Sequence, residues 1–427
     1  MVRPGAEEAS VRWHHLACDP VEVVRGESLA EVERAWQTAR KTWQAGPDVP
    51  IAVGFVSYDL GRRFERLRGT PPPPSGWPLL EFRFYDAFWV KDQATGVAEI
   101  WASDRAAARR LAERLQGAQG AGPRSFAPPG GEGRGEGDAR FELGPFSPIE
   151  PDARHLAAVE RVLDYLAAGD AYQVNLARRL EASCRDPGPI GLELFLRLQE
   201  SAPAPFALWF ADPQAGRALV GNSPERFLRL EAGDRIFTEP IKGTRPRIAG
   251  QEAAQIAELE GSQKDRAEHV MIVDLERNDL GRICRTGSVE VRDPLRVLAL
   301  PRLFHLVSTV SGRLRPGVGL TEIFAACFPG GSITGAPKIR AMEIIDELEA
   351  AARGPYTGAT GWLGADGGFD LAIAIRTGLL EGERLTLWAG GGVVIDSRPA
   401  EELEETRVKI RAFEAVRAAA ARQHDES

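Results

Sequence analysis

Residues 117–138, GAQGAGPRSFAPPGGEGRGEGD, carry eight glycines and three prolines in 22 positions. A stretch like this has too much backbone freedom and too little apolar surface to pack as a regular element. It therefore divides the 427 residues into an N-terminal unit, 1–116, and a larger unit, 151–424, with 117–150 as the linker; the larger piece is long enough to bury its own core. In the first unit PIAVGFVSYDL alternates as a strand, FYDAFWVKDQATGVAEIWAS reads as a hairpin around Ala94-Thr95-Gly96, and DRAAARRLAERLQG has helical spacing up to Gly117. The second unit opens on a helix, PDARHLAAVERVLDYLAAGD, stopped at Gly169. Short β-like runs follow from Tyr172 to Glu239, then helices at about 251–280, 319–327, 337–352 and 399–422. Strands and helices do not alternate as strict βαβ units, so the expected fold is α+β with antiparallel sheets.

The net charge of −8 argues against a nucleic-acid binder, which needs a basic surface to displace counterions. The opening MVRPGAEEASVRWHHLACDP has no basic segment leading into an apolar run, and nowhere do 18 apolar residues run together. No membrane association and a cytoplasmic location are the expectation. Cys18, Cys184, Cys284 and Cys327 are scattered without C-x-x-C spacing, as buried reduced thiols would be.

Two helices carry paired carboxylates. In EELEETRVK, Glu402, Glu405 and Lys409 stack on one face, and in SQKDRAEHVMIVDLERNDLG, Asp265 and Glu268 do the same behind a Ser262 cap. Taken singly, each reads as a solvated face, with Glu405 and Lys409 as an i,i+4 ion pair. Taken together they are what a Mg²⁺ site draws on, since this ion takes one or two carboxylates and fills its shell with water and substrate oxygens. CFPGGSITGAPKIRAMEIIDELE nearly mimics a phosphate-binding loop, but Ala336-Pro337 stands where Lys-Ser/Thr is required. Its free backbone N–H groups and the Thr334 hydroxyl are expected instead to seat a small carboxylate. GPYTGATGWLG and LWAGGGVVIDS add Gly-rich strand turns that let a ligand approach the backbone, and Arg376 and His305 are polar groups set in apolar runs. Together they would suit a multiply anionic small molecule. Lys242, in TEPIKGTRPR, reads by itself as a turn lysine.

The motifs NSPERF, PIKGT, AEHVMIVDLERNDLGR, SITGAPK, RGPYTGATGW and AGGGVVIDS followed by EETRVK resemble, in number and order, the chorismate-utilising enzymes; GFVSYDLGRRFE resembles their N-terminal part more weakly. The resemblance implies a large α/β sandwich of two mainly antiparallel sheets flanked by helices, with chorismate as substrate and Mg²⁺ as cofactor. It also implies roles by motif: Glu268 and Glu405 as Mg²⁺ ligands with Asp265 and Glu402 further out; Tyr356, Arg376, Gly392, Lys409 and Thr334 around the substrate carboxylates; His305 beside the ring; and Glu225 as the acid that protonates the departing C4 hydroxyl. Gln173 stands where hydrolytic relatives have a water-activating lysine, which points to an amine nucleophile. The resemblance is closest to members that aminate chorismate at C4 through Lys242. The alternative is amination at C2 with loss of pyruvate, in members that typically carry alanine at this position. No Gly-x-Cys-x-Gly elbow is present, so ammonia is expected from a separate glutamine amidotransferase subunit.

Overall fold

The computed structural model of the chain describes residues 7–8, 13–43, 48–119 and 140–425. The Gly/Pro-rich stretch falls outside these from residue 120 to 138. The described strands form an 11-stranded sheet, an 8-stranded sheet and a small 3-stranded sheet. Their pairs are antiparallel, apart from Glu7–Glu8 beside Leu298–Ala299. This is the expected α+β sandwich, with helices packed outside.

The composition boundary near residue 116 is not a boundary between sheets. Pro50–Val56 pairs with Ala359–Gly364, and through it Leu80–Phe84 and Glu22–Gly26 extend the 11-stranded sheet. The stretch read as linker also contributes, since Glu142–Leu143 and Ser147–Pro148 pair with the strand Gln173–Arg185. Pairs so distant in sequence leave no local signal, which is why the sequence reading separated them.

Two strand passages link the large sheets. One runs from Arg217–Ser223 of the 8-stranded sheet to Arg226–Leu230 of the other, and the second runs back from Phe369–Ile373 to Thr377–Glu381. The two passages bond to each other, Asn222 N–H to Arg376 O at 3.0 Å and Ile373 N–H to Glu225 O at 3.0 Å. Phe55, Trp77, Phe210, Leu219 and Leu379 pack into one buried cluster nearby. The crossings thus place Glu225 and Arg376 in the interior, where backbone irregularity frees their side chains from the ladder.

Helices Leu29–Arg40, Gln263–Gly281 and Leu320–Cys327 cover the large sheet through a core that includes Val32, Trp36, Val273, Leu280, Ile323 and Phe324. Asp152–Ala167 and Lys338–Leu348 join Val174, Leu176 and Val393 of the smaller sheet in a second cluster. The expected single helix over 251–280 is two, Glu252–Gly261 and Gln263–Gly281. Ser262 takes an extended conformation between them, and its Oγ accepts the Asp265 N–H at 3.2 Å. A cap has replaced helical continuity.

Candidate functional site

Lys242 owes its position to a β-bulge. In the pairing of Ile241–Pro246 with Leu303–Arg313, Lys242 lies opposite Leu306 and Thr244 opposite His305, so Gly243 is an extra residue. Gly243 has φ +75°, and a Cβ there would stand 2.9 Å from Leu259 and 3.1 Å from Asp265. Only glycine meets both demands. The bulge aims the half-buried lysine inward, where its Nζ donates to the Ser332 carbonyl at 3.3 Å. Burial pushes the Lys242 amine below its usual range; Glu225, Glu268 and Glu405 oppose that shift and Lys409 adds to it.

Glu225 is 5% exposed, and burial raises its carboxyl against the pull of Lys242, Ser332, the Ile241 N–H and Lys409. Ile241 N–H reaches its Oε1 at 3.3 Å. An amine biased towards its neutral form therefore stands beside a carboxyl biased towards its acid form. Such a pair is suited to nucleophilic attack coupled to protonation of a leaving group.

Both acidic pairs face the same region. Burial raises Glu268, with Lys242 and Lys264 opposing and Asp265 and Glu405 reinforcing the rise. Burial also raises Glu402, whose Oε1 accepts the Ser397 hydroxyl at 2.6 Å. Partial burial acts to raise Glu405 too, but Lys409, Lys242 and Lys264 hold it below the usual carboxylate range. Glu402 and Glu405 close over Gly391, where a Cβ would stand 3.0 and 2.8 Å from their oxygens. Lys409 forms the expected i,i+4 pair with Glu405 at 2.6 Å and donates to Gly390 O at 2.5 Å. Asp265 is engaged by Arg245 at 3.0 Å, which leaves Glu268 the freer carboxylate of its helix. Among the described residues no three His, Cys, Asp or Glu side chains gather as a complete metal cage.

The Gly-rich loop departs from the sequence reading. It was expected to present free N–H groups and the Thr334 hydroxyl to an anion, yet Gly331 N–H bonds to Glu276 Oε1 at 3.0 Å, and the N–H groups of Ile333 and Thr334 turn back onto Gly330 O and Gly331 O. The Thr334 hydroxyl donates to Gly330 O at 3.0 Å and is fully buried. A buried loop must satisfy its own donors, so this one offers carbonyls, that of Ser332 in particular.

Gln173 is fully buried, and neither its amide nitrogen nor its amide oxygen has a partner. Its side chain fills the space a Cβ on Gly392 would need, at 2.5 Å. A buried, unsatisfied amide is unfavourable unless a ligand or water completes it. Arg376 has φ +50°, and its guanidinium has no hydrogen bond or ion pair among the described residues; burial lowers its pKa and Glu225 opposes that shift. Tyr356 stacks on Trp388 with centroids 5.6 Å apart. His305 is buried, and its Nδ1 lies 3.0 Å from Thr244 Oγ1 and 3.4 Å from Gly243 O, leaving Nε2 unpartnered. Burial, then Arg376, pushes it down to about 3, so it is neutral. The sequence reading gave His269 no part, but it too is buried, bonds Ser308 Oγ at 2.6 Å, and is pushed down to about 4 by burial and by Lys242. Its burial on a predominantly polar helix start was the available signal.

This geometry can be set beside known proteins. Over 384 residues the chain is 41% identical to an anthranilate synthase component 1 of Haloarcula marismortui, covering 86% of this chain and 76% of that one. Over 379 residues it is 38% identical to aminodeoxychorismate synthase component 1 of Klebsiella aerogenes, covering 86% and 78%. The crystal structure of anthranilate synthase component I from Streptococcus pneumoniae superposes with a TM-score of 0.79 at 29% identity, over 95% of this chain and 93% of that one. Relatives thus divide between two activities on one substrate, and the family described as chorismate binding enzyme matches residues 6–415. The protein belongs to the chorismate binding enzymes and is a chorismate-utilising enzyme.

Proposed function

We propose that this chain is an aminodeoxychorismate synthase component I, converting chorismate and ammonia to 4-amino-4-deoxychorismate for 4-aminobenzoate and folate synthesis. The observation that carries this reading is the bulge at Gly243, which turns Lys242 inward so that its Nζ meets the Ser332 carbonyl; burial lowers the amine, and the buried Glu225 is close enough to act on it electrostatically. The resemblance implies alanine at this position in members that form anthranilate, which would lack the nucleophile.

In the proposed reaction the neutral Lys242 amine bonds to C2, the ring double bonds shift, and the C4 hydroxyl departs as water with the proton of Glu225. The new ammonium returns a proton to the Glu225 carboxylate. Ammonia then bonds to C4, the double bonds shift back, and the C2–nitrogen bond breaks as Glu225 protonates the departing nitrogen to restore free lysine, the new C4 ammonium returning a proton to Glu225. Arg376, whose guanidinium lacks a protein partner among the described residues, is the cation for a substrate carboxylate. The Gln173 amide completes its hydrogen bonds on substrate or incoming ammonia, and the neutral His305 turns Nε2 towards the ring.

The donor set fits Mg²⁺. Glu268 and Glu405 are all-oxygen donors near enough to repel each other, and a hard divalent ion needs only one or two such carboxylates with water. Glu402, fixed by Ser397, and Asp265 would support them. Bound there, Mg²⁺ supplies a positive charge for a substrate carboxylate.

Ammonia comes from a glutamine amidotransferase partner in this reading. Burial pushes the thiols of Cys18 and Cys284 up to about 11 and of Cys184 up to about 12, and raises that of Cys327 well above its usual range. None is suited to act as a glutaminase thiolate. No helix among the described residues is long and apolar enough to cross a membrane, and we infer a cytoplasmic enzyme.

The test is product analysis from chorismate, Mg²⁺ and ammonium salt at alkaline pH, with pyruvate assayed alongside. The expected product is an aminated, pyruvate-retaining compound that yields 4-aminobenzoate only after a lyase is added. Anthranilate with stoichiometric pyruvate would overturn the proposal.

A further inference from the structure

Glu276 takes no part in the reaction above, yet it is 3% exposed and lies on the same buried helix face as Glu268 and His269. Its Oε1 accepts the Gly331 N–H at 3.0 Å. The fit is close, because a Cβ on Gly331 would stand 2.5 Å from Leu275 and 3.2 Å from Glu276 Oε1. The next residue along the loop presents the carbonyl that receives Lys242 Nζ at 3.3 Å and Asn175 Nδ2 at 3.4 Å. A short path of bonds therefore runs from Glu276 through Gly331 and Ser332 to the amine.

The surroundings let Glu276 hold this place. Asp279 on the same helix pairs with Lys338 at 2.5 Å, and Lys338 also donates to Cys327 O at 3.3 Å. The Lys338 ammonium is thus taken up by Asp279, and the buried Glu276 keeps the Gly331 N–H as its hydrogen-bond partner. Burial and then Asp279 push Glu276 up to about 8, with Glu225 adding to the rise and Lys338 and the Gly331 N–H opposing it. A protonated carboxyl still accepts an N–H bond through its carbonyl oxygen.

We propose that Glu276 is a positioning residue for Lys242: by holding the Gly331 N–H it fixes the Ser332 carbonyl against which the amine is aimed. This takes from the functional reading only that Lys242 reacts as a free amine.

The test compares Glu276→Gln, which keeps the acceptor, with Glu276→Met, which removes it. The rate at which cyanate carbamylates Lys242 is followed against pH by peptide mass spectrometry, alongside kcat and KM for ammonia-dependent turnover. The Gln variant is expected to keep the wild-type labelling profile and nearly all of kcat. The Met variant is expected to shift that profile and to lose about 10- to 100-fold in kcat with little change in the chorismate KM, as for a displaced reacting group. Gly331→Ala keeps the Glu276 side chain but drives the same N–H away from it and should give the same shift. A wild-type labelling profile and kcat in either Glu276→Met or Gly331→Ala would overturn the proposal, even if the other variant fails to fold. Labelling uses no substrate, so a chain that proves to aminate C2 leaves this test standing.

Discussion

The two lysines of the site are built differently. Lys409 stands on a helix, 2.6 Å from Glu405, with their side chains 39% and 46% exposed. Lys242 stands on a bulged strand, has no carboxylate within ion-pair distance among the described residues, and meets a backbone carbonyl instead. Helical spacing supplies Lys409 with a counter-charge one turn away, whereas the bulge carries Lys242 into the interior, where neutrality is favoured. On the proposed function, the same side chain serves as an anchored cation in one place and as a nucleophile in the other.

Exchanging the two roles tests the contrast most severely. Lys242→Ala should lower kcat for C4 amination by roughly 10³-fold or more while leaving the chorismate KM within a few-fold, as expected for loss of a covalent nucleophile. Lys409→Ala should act mainly on KM, by about tenfold or more, the worth of one charge-assisted hydrogen bond to substrate. Steady-state kinetics with ammonium separates them, and a mainly KM effect at Lys242 would break the distinction. The carboxylates divide the same way. Glu225→Gln should lose about 10²- to 10⁴-fold in kcat, whereas Glu402→Gln should raise the Mg²⁺ concentration for half-maximal rate by about 10- to 100-fold, measured by metal titration.

Smaller effects probe the scaffold. Gly243→Ala forces a side chain into a left-handed conformation against Leu259 and Asp265. It should destabilise the protein by about 1–3 kcal/mol in denaturant unfolding. Below that lies the pH dependence of stability. His305 and His269, held at about 3 and about 4 by burial against an ordinary 6.5, are neutral in folded and unfolded chains alike above pH 6.5. As pH falls below 6.5 the unfolded chain takes the protons first. Stability then drops by up to ~1.4 kcal/mol per pH unit for each histidine until its folded-state value is reached. Unfolding at pH 7 and pH 5 checks this, and His305→Asn should reduce the difference.

What could be read in advance depended on whether a feature is local. The helical spacing of Asp265 with Glu268 and of Glu402 with Glu405 placed each pair on one face, and in the structure Glu402 and Glu405 both approach Gly391 while Glu405 acts electrostatically on Glu268. The motifs around Glu225 and Lys242 raised a turn lysine and one glutamate to candidates, although neither the bulge at Gly243 nor the sheet crossing at Glu225 follows from propensity. Other features had no local mark. Pairing of Pro50–Val56 with Ala359–Gly364 joins distant segments, and the Glu276 bond to Gly331 depends on tertiary packing. The loop at 330–334 shows the same limit: its glycines suggested open N–H groups, but those of Gly331, Ile333 and Thr334 find partners within the protein, which only tertiary packing decides.

The central claim is covalent, so the most direct measurement is the mass of the protein quenched during turnover with chorismate and Mg²⁺ but without ammonia. A proteolytic peptide containing Lys242 should carry the added mass of chorismate less one water, and ammonium should discharge it to the C4-aminated product. No adduct on Lys242, with anthranilate and pyruvate accumulating once ammonium is supplied, would contradict the account.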